Sequence, residues 1–159
     1  MDHTRIVLHR DYQIAPVDPR IFGGFLEHIG RAIYQGVYEP QSIHADEHGF
    51  RKDVLECLRR LALTTVRYPG GNFASGYHWL NGVGPASTRP TLQDLASRSI
   101  ETNQFGTDEF MQLARLMGWM PLITANLHGH TRGSAQLGRI LQQSGRDALR
   151  RSARPKRFG

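Results

Sequence analysis

The sequence is poor in cysteine and in long apolar stretches. Its single cysteine, Cys57, cannot form an intrachain disulfide bond. No apolar run reaches the roughly 18 residues that a membrane-spanning helix needs, so we expect no contact with a membrane. The first residues, MDHTRIVLHRDYQI, lack the apolar centre of a secretory signal, which predicts a cytoplasmic location. With 39% hydrophobic residues over 159 positions, the chain has the composition of one ordinary globular domain.

Acidic residues are scarce in the last part of the chain. Residues 128–159 contain eight Lys or Arg and one acid, Asp147, whereas residues 1–127 contain 12 basic and 13 acidic residues. The formal net charge of +6 therefore comes from the tail. On composition this tail is a solvated basic segment, and we predict no nucleic-acid partner. A basic nucleic-acid-binding chain is an alternative that rests on the tail alone.

Short apolar or β-branched segments alternate with amphipathic helix patterns. Strands are predicted over residues 5–8, 21–26, 64–68 and 120–127. Helices are predicted over residues 46–63 and from Thr107 or Asp108 onward. From the second strand on, this order is the βαβ pattern of a parallel sheet, so the fold class is α/β. The long loop that follows PGGN is predicted to serve a function, because loops of that length without regular structure are uncommon.

Polar residues follow the ends of three predicted strands. Glu27, Asn72 and Asn126 occupy these places, where parallel β/α folds carry their functional residues. A carboxylate accepts hydrogen bonds and an amide both accepts and donates them, so the three side chains suit sugar hydroxyl groups. The alternative is structural: Glu27 pairs with a nearby arginine, and Asn72 completes a turn after Gly70 and Gly71.

Two further residues have a possible supporting role. Arg67 lies inside a strand between Val66 and Tyr68, and a buried arginine needs a carboxylate partner. Such a pair either orients a catalytic acid or is purely structural. Trp79 can stack on a sugar or pack the long loop. No metal site is predicted, because the histidines lack ligand spacing; those considered are His28, His78, His128 and His130. PGGN lacks the lysine of a phosphate loop.

Three segments together resemble one enzyme family. IFGGFLEHIGRAIYQGVYEP, VRYPGGNFASGYHWLNGVGP and SIETNQFGTDEFMQLAR resemble the α-L-arabinofuranosidases of glycoside hydrolase family 51, and the likeness spans residues 18–127. That family joins a catalytic (β/α)8 barrel to a β-sandwich of jelly-roll type. The resemblance implies that residues 18–127 form about three βα units of a TIM barrel. It further implies that residues 1–17 contribute a strand to the β-sandwich of the parent enzyme.

The resemblance also implies a reaction. Family members hydrolyse terminal non-reducing α-L-arabinofuranosyl groups of arabinan and arabinoxylan oligosaccharides with retention, use no cofactor, and commonly assemble as hexamers or other multimers. Their acid/base glutamate follows the fourth strand and their nucleophile follows the seventh. Glu27 and Asn72 match arabinofuranose-binding positions of the family. We therefore expect part of the sugar-binding surface here, neither catalytic glutamate, and an inactive chain. A non-catalytic arabinose-binding protein is the alternative.

The likeness to the family stops after ANL. Family members continue with text such as GTGTPEEA and an LVEYCN-type helix, whereas this chain reads HGHTRGSAQLGRILQQ. The tail can be read in a shifted frame, in which the last two nucleotides of each codon join the first of the next. With permitted codons, this frame can restore the family-like text TGTPEEAPNLVEYCN. We hypothesise a small net deletion near the codon for Leu127, which makes residues 128–159 an out-of-frame tail. Resequencing that shows an uninterrupted frame would contradict this.

A partial barrel also has a physical consequence. Three parallel strands leave open sheet edges and expose the face that lines a barrel. We therefore expect poor solubility or a molten state for the isolated chain.

Overall fold

The computed structural model describes residues 4–94 and 97–126, so the predictions for residues 128–159 lie outside the described residues. The strands and helices, in chain order, are β1 (Gly24–Phe25), α1 (Lys52–Arg60), β2 (Thr65–Tyr68), α2 (Asn72–Gly76), β3 (Leu92–Gln93), β4 (Ile100–Glu101), α3 (Thr107–Met117) and β5 (Met120–Ile123). Strands β1, β2 and β5 form a parallel sheet with β2 in the middle, and β3 pairs antiparallel with β4. The α/β prediction is confirmed, while closure into a barrel and the accompanying β-sandwich stay predictions.

The sheet has one covered face. Because side chains alternate along a strand, Val66 and Tyr68 of β2 point to the core and Arg67 points to the opposite side. The predicted helix α3 is confirmed, and it buries Phe110 and Leu113 in this core. It ends where Gly118 adopts the left-handed conformation, with φ of +71°. None of the helices in the described ranges is long and apolar enough to cross a bilayer.

The helix predicted over residues 46–63 is shorter than expected. It spans only Lys52–Arg60, because Asp46 forms a turn instead of starting the helix. The Asp46 carboxylate accepts the backbone N–H groups of His48 at 2.9 Å and Phe50 at 2.8 Å. Aspartate side chains stabilise turns in this way, in competition with a helix. The first part of the helix prediction is therefore wrong.

The N-terminal segment also differs from its prediction. Residues 5–8 form no strand, and Ile6 and Leu8 are exposed. A strand needs a partner for its backbone groups, and no other described segment pairs with these residues. The next predicted strand, residues 21–26, is shortened to β1 by the 3-10 helix Pro19–Phe22. The assignment of residues 1–17 to a β-sandwich stays a prediction.

The predicted long loop contains regular structure. Helix α2, two 3-10 helices and the β3–β4 hairpin lie between β2 and α3. Arg89 holds this segment: its buried guanidinium donates to the Glu109 carboxylate at 2.7 and 2.9 Å and to the backbone oxygen of Asn103 at 2.8 Å. Burial alone would lower the pKa of Arg89. The hydrogen bonds to Glu109, together with the nearby carboxylate charges, have the larger effect, so the pKa lies above its usual value. The arginine therefore stays charged and cross-links the segment to α3.

Candidate functional site

Glu27 follows β1 at the carboxyl edge of the parallel sheet. The Leu26 N–H donates to the backbone oxygen of Arg67 at 2.8 Å, which extends the pairing of β1 with β2 up to this point. The Glu27 Oε1 atom then accepts the backbone N–H groups of Gly71 at 3.0 Å and Phe73 at 3.1 Å. Glu27 thus caps α2 rather than pairing with an arginine. A carboxylate has about four lone-pair positions, so this one retains acceptor capacity for a ligand hydroxyl group.

The PGGN turn is shaped around the Glu27 side chain. Gly70 has a φ of +139°, and a Cβ atom placed there would lie 2.6 Å from Glu27 Oε1. Both the backbone conformation and the space therefore require glycine. The bond before this turn, Tyr68–Pro69, is a cis peptide. The turn presents the Gly71 N–H to Glu27, and α2 presents the Phe73 N–H. Whether Asn72 binds a ligand or only completes the turn stays open as a prediction.

The two asparagines lie at opposite ends of α2. Asn72 is the first residue of this helix and its side chain is exposed. The Asn126 amide nitrogen, beyond β5, donates to the backbone oxygen of Ser75 at 2.9 Å. Glu27, Asn72 and Asn126 come from three separate strand ends, and all three are joined through a helix of five residues. The structure therefore brings together the three polar residues that the strand positions singled out.

Arg67 does not occupy the buried position that the sequence suggested. It is exposed on the open face of the sheet, because the strand alternation places Val66 and Tyr68 in the core instead. Its guanidinium carbon lies 4.2 Å from the ring centroid of Phe25, which is a cation–π geometry. No carboxylate of the described residues forms an ion pair with it. The prediction of a buried ion pair is wrong.

In the sequence, Trp79 lies further from the end of β2 than Asn72 does. It begins the 3-10 helix Trp79–Gly82, and it is half-buried. Packing in the loop and stacking on a sugar therefore both stay open as predictions for its indole ring.

A buried polar cluster next to Glu27 was not predicted from the sequence. His28 Nδ1 lies 2.8 Å from Glu101 Oε2, and the two side chains are only 3% and 8% exposed. The other ring nitrogen of His28 lies 2.9 Å from the Tyr68 hydroxyl. The second Glu101 oxygen accepts the Tyr34 hydroxyl and the Asn103 backbone N–H, the latter at 2.7 Å. The polar groups of this cluster therefore satisfy one another inside the protein.

The charge state of the cluster follows from these contacts. Burial alone raises the pKa of Glu101, but the hydrogen bonds from His28, Tyr34 and the Asn103 N–H lower it below its usual value. Burial, together with the bond to Glu101, raises the pKa of Tyr34 far above its usual value. Burial likewise raises the pKa of Tyr68. At neutral pH Glu101 is thus a carboxylate and both tyrosines are neutral.

The sequence held a weak signal for this cluster. His28 directly follows Glu27, and Glu101 lies in the SIETNQFG segment that carries the family resemblance. The spacing of the histidines bears only on metal ligands, and two residues 73 positions apart in the sequence form no local pattern. Among residues 4–94 and 97–126, no group of three or more His, Cys, Asp or Glu side chains is placed to hold a metal ion.

Glu27, Asn72 and Asn126 thus place a carboxylate and two amides at the carboxyl edge of a parallel sheet, where β/α folds carry their functional residues. The family model of the alpha-L-arabinofuranosidase 1 domain matches residues 57–151, a segment that runs past Leu127. An exo-alpha-(1->6)-L-arabinofuranosidase of Bifidobacterium longum is 50% identical over 125 residues, which are 79% of this chain and 24% of that protein. The intracellular exo-alpha-(1->5)-L-arabinofuranosidase 1 of Bacillus subtilis is 47% identical over 127 residues, 80% of this chain and 25% of that protein.

Solved structures agree with these matches. The family 51 α-L-arabinofuranosidase of Thermotoga petrophila superposes with a TM-score of 0.74 at 48% identity, over 77% of this chain and 25% of that one. An arabinose complex of the Thermotoga maritima α-L-arabinofuranosidase gives a TM-score of 0.68 at 50% identity, over 71% of this chain and 23% of that one. The chain belongs to the α-L-arabinofuranosidases of glycoside hydrolase family 51. It spans about a quarter of the length of the curated relatives that it matches.

Proposed function

We propose that this chain carries part of the arabinofuranose-binding surface of a retaining α-L-arabinofuranosidase. The parent enzyme hydrolyses terminal non-reducing α-L-arabinofuranosyl groups of arabinan and arabinoxylan oligosaccharides. Glu27 and Asn72 bind the sugar, and Arg67, Asn126 and Trp79 support them. One observation carries the proposal: the strand-end residues Glu27, Asn72 and Asn126 are all joined through α2 at one edge of the sheet.

The chemistry of these groups suits a sugar. The Glu27 carboxylate is fixed by the N–H groups of Gly71 and Phe73, so it loses little further freedom when it accepts a sugar hydroxyl. Asn72 is exposed beside it and can both donate and accept. The arabinose complex of the Thermotoga maritima relative supports arabinose as the sugar.

We further propose that the chain does not cleave its ligand. A retaining glycosidase needs two carboxyl groups about 5 Å apart, one as acid/base and one as nucleophile. In the family both follow later strands than the three of the parallel sheet described here. Glu27 is engaged as a helix cap, which favours a binding role. The expected result is no release of nitrophenol from a nitrophenyl α-L-arabinofuranoside. Release above the level of a mock purification would contradict this part.

Binding is tested by titrating the chain with L-arabinose and following amide signals by NMR. We expect saturable shifts at Gly71 and Phe73 with a dissociation constant on the order of 1 mM, because a monosaccharide makes few contacts. Glu27→Gln and Asn72→Ala should each weaken binding about tenfold. Glu56→Gln, an exposed carboxylate on α1, is the matched control and should bind like wild type. Wild-type protein that shows no saturable shifts would overturn the proposal.

The proposal extends to location and assembly. We propose a cytoplasmic location, which the intracellular relative of Bacillus subtilis supports. We also propose that the parent enzyme assembles as a homo-oligomer. Fractionation of cells and light scattering of the purified parent enzyme test these two points.

A further inference from the structure

We propose that His28 and Glu101 are positioning residues that hold Glu27 and α2 in the geometry needed for the sugar. This inference rests on the proposed function of Glu27. It assigns a role to a buried pair that lies behind the ligand surface and that does not itself contact the ligand.

Glu27 and His28, which are neighbours in the sequence, contact α2 in two different ways. The Glu27 carboxylate accepts the backbone N–H of Phe73 at 3.1 Å. The imidazole ring of His28 stacks on the ring of the same Phe73, with centroids 4.2 Å apart and planes inclined by 13°. Since both contacts reach one residue, a rotation of the His28 ring displaces Phe73 and with it the N–H group that fixes Glu27.

The His28 ring is fixed at both nitrogens. Carboxylates only accept hydrogen bonds, so Nδ1 carries the proton that is donated to Glu101. The other nitrogen meets the Tyr68 hydroxyl of β2. A ring flip would break both bonds and leave buried polar groups without partners, which is costly. The imidazole therefore has a single orientation against α2.

Glu101 anchors this orientation from outside the parallel sheet. It lies on β4, in the segment between α2 and α3, and is itself held by the Tyr34 hydroxyl and the Asn103 N–H. Pre-organised binding groups gain affinity from such supporting contacts, because less freedom is lost on binding. The pair thus connects the β3–β4 hairpin to the carboxylate that meets the sugar.

Two variants separate positioning from mere stability. Glu101→Gln keeps the shape but removes the charge, and His28→Phe keeps the stacking on Phe73 but removes both hydrogen bonds. Glu109→Gln is the matched control, because it weakens another buried ion pair, with Arg89. The amide signals of Gly71 and Phe73 are recorded without sugar, and the affinity for L-arabinose is then measured by titration.

We expect both variants to move the Gly71 and Phe73 signals upfield and to raise the arabinose dissociation constant about tenfold. The control should lose stability with both readouts unchanged. If Glu101→Gln loses stability yet leaves the two signals and the affinity at wild-type values, the pair is structural and the inference fails; this milder variant decides the question even if His28→Phe does not fold. If the signals move but wild-type protein binds no arabinose, the pair still positions Glu27 and α2, whereas the proposed function and the sugar role of this positioning fail.

Discussion

The two faces of the parallel sheet differ although they share the same strands. On one face Val66 and Tyr68 are 2% and 1% exposed, packed with residues of the neighbouring helices. On the other face Phe25 and Leu122 are 50% and 55% exposed, in register with Arg67 between them. The difference arises because the helices described here lie on one side of the sheet only. The packed core of the described residues therefore lies on one face of the sheet. The other face exposes apolar side chains that no described helix covers.

This contrast bears on the expectation of poor solubility or a molten state. The covered face has a close-packed aromatic core, in which Tyr68 and Phe110 stack with centroids 4.6 Å apart. Such specific packing is what a molten state lacks. Whether the isolated chain is poorly soluble or molten stays a prediction, and the open face is the feature that would promote association.

The largest effect is expected on the covered face. Phe110→Ala removes a fully buried ring from α3 and should lower the free energy of unfolding by about 3–5 kcal/mol, because it loses burial and leaves a cavity. Urea unfolding followed by circular dichroism measures this change. Leu116→Ala, an exposed position on the same helix, is the control and should change stability by less than about 1 kcal/mol. Equal losses in the two variants would show that the core is not packed as described.

The next effect concerns the buried pair beneath the sheet edge. The pKa of Glu101 is lower in the folded protein than its usual value, so its carboxylate stabilises the fold above the unfolded-state pKa. That stabilisation is lost as the pH falls below about 4.5 through the folded-state pKa. Glu101→Gln should lower stability by about 1–3 kcal/mol at pH 7, since it weakens charged hydrogen bonds.

Unfolding at several pH values from neutral to acidic tests that linkage. The difference in stability between wild type and Glu101→Gln should shrink as the pH falls. A difference that stays constant over the acidic range would mean that Glu101 does not titrate with a lowered pKa in the folded protein.

The sequence predicted the parts of this structure that depend on local pattern. Helix α3 was predicted because Phe110 and Leu113 recur with helical spacing, and Glu27 was singled out by its place after a strand. Asp46 misled the prediction of α1, since an aspartate can equally start a helix or close a turn. The pair of His28 and Glu101 could not be predicted, because its partners meet only when the β3–β4 hairpin folds onto the sheet.

A smaller effect is expected at the Arg67 guanidinium on the open face. The guanidinium of Arg67 over the Phe25 ring should couple the two residues by about 0.5–1 kcal/mol. A double-mutant cycle of Arg67→Ala and Phe25→Leu, measured by urea unfolding, gives this energy directly. Arg67→Lys, which keeps a cation, should retain part of it. Strictly additive single effects would mean that the contact contributes nothing.

The smallest change in stability is expected at the open face itself. Leu122→Thr replaces an exposed leucine with a residue that strands accept well, so stability should change by no more than about 0.5 kcal/mol. Association should nevertheless fall, because this leucine is one of the exposed apolar side chains of the open face, with Met120 on the same strand and Phe25 on the far side of Arg67. Light scattering at increasing protein concentration measures the association.

The control for this last prediction is a single exposed apolar residue away from the sheet. Ile43→Thr changes a side chain that is 91% exposed on the segment before α1. Isolated surface hydrophobic residues are common and carry no tendency to associate, so this variant should scatter light like wild type. If Ile43→Thr reduces association as much as Leu122→Thr does, exposed apolar area in general drives it, and the two faces of the sheet differ in packing alone.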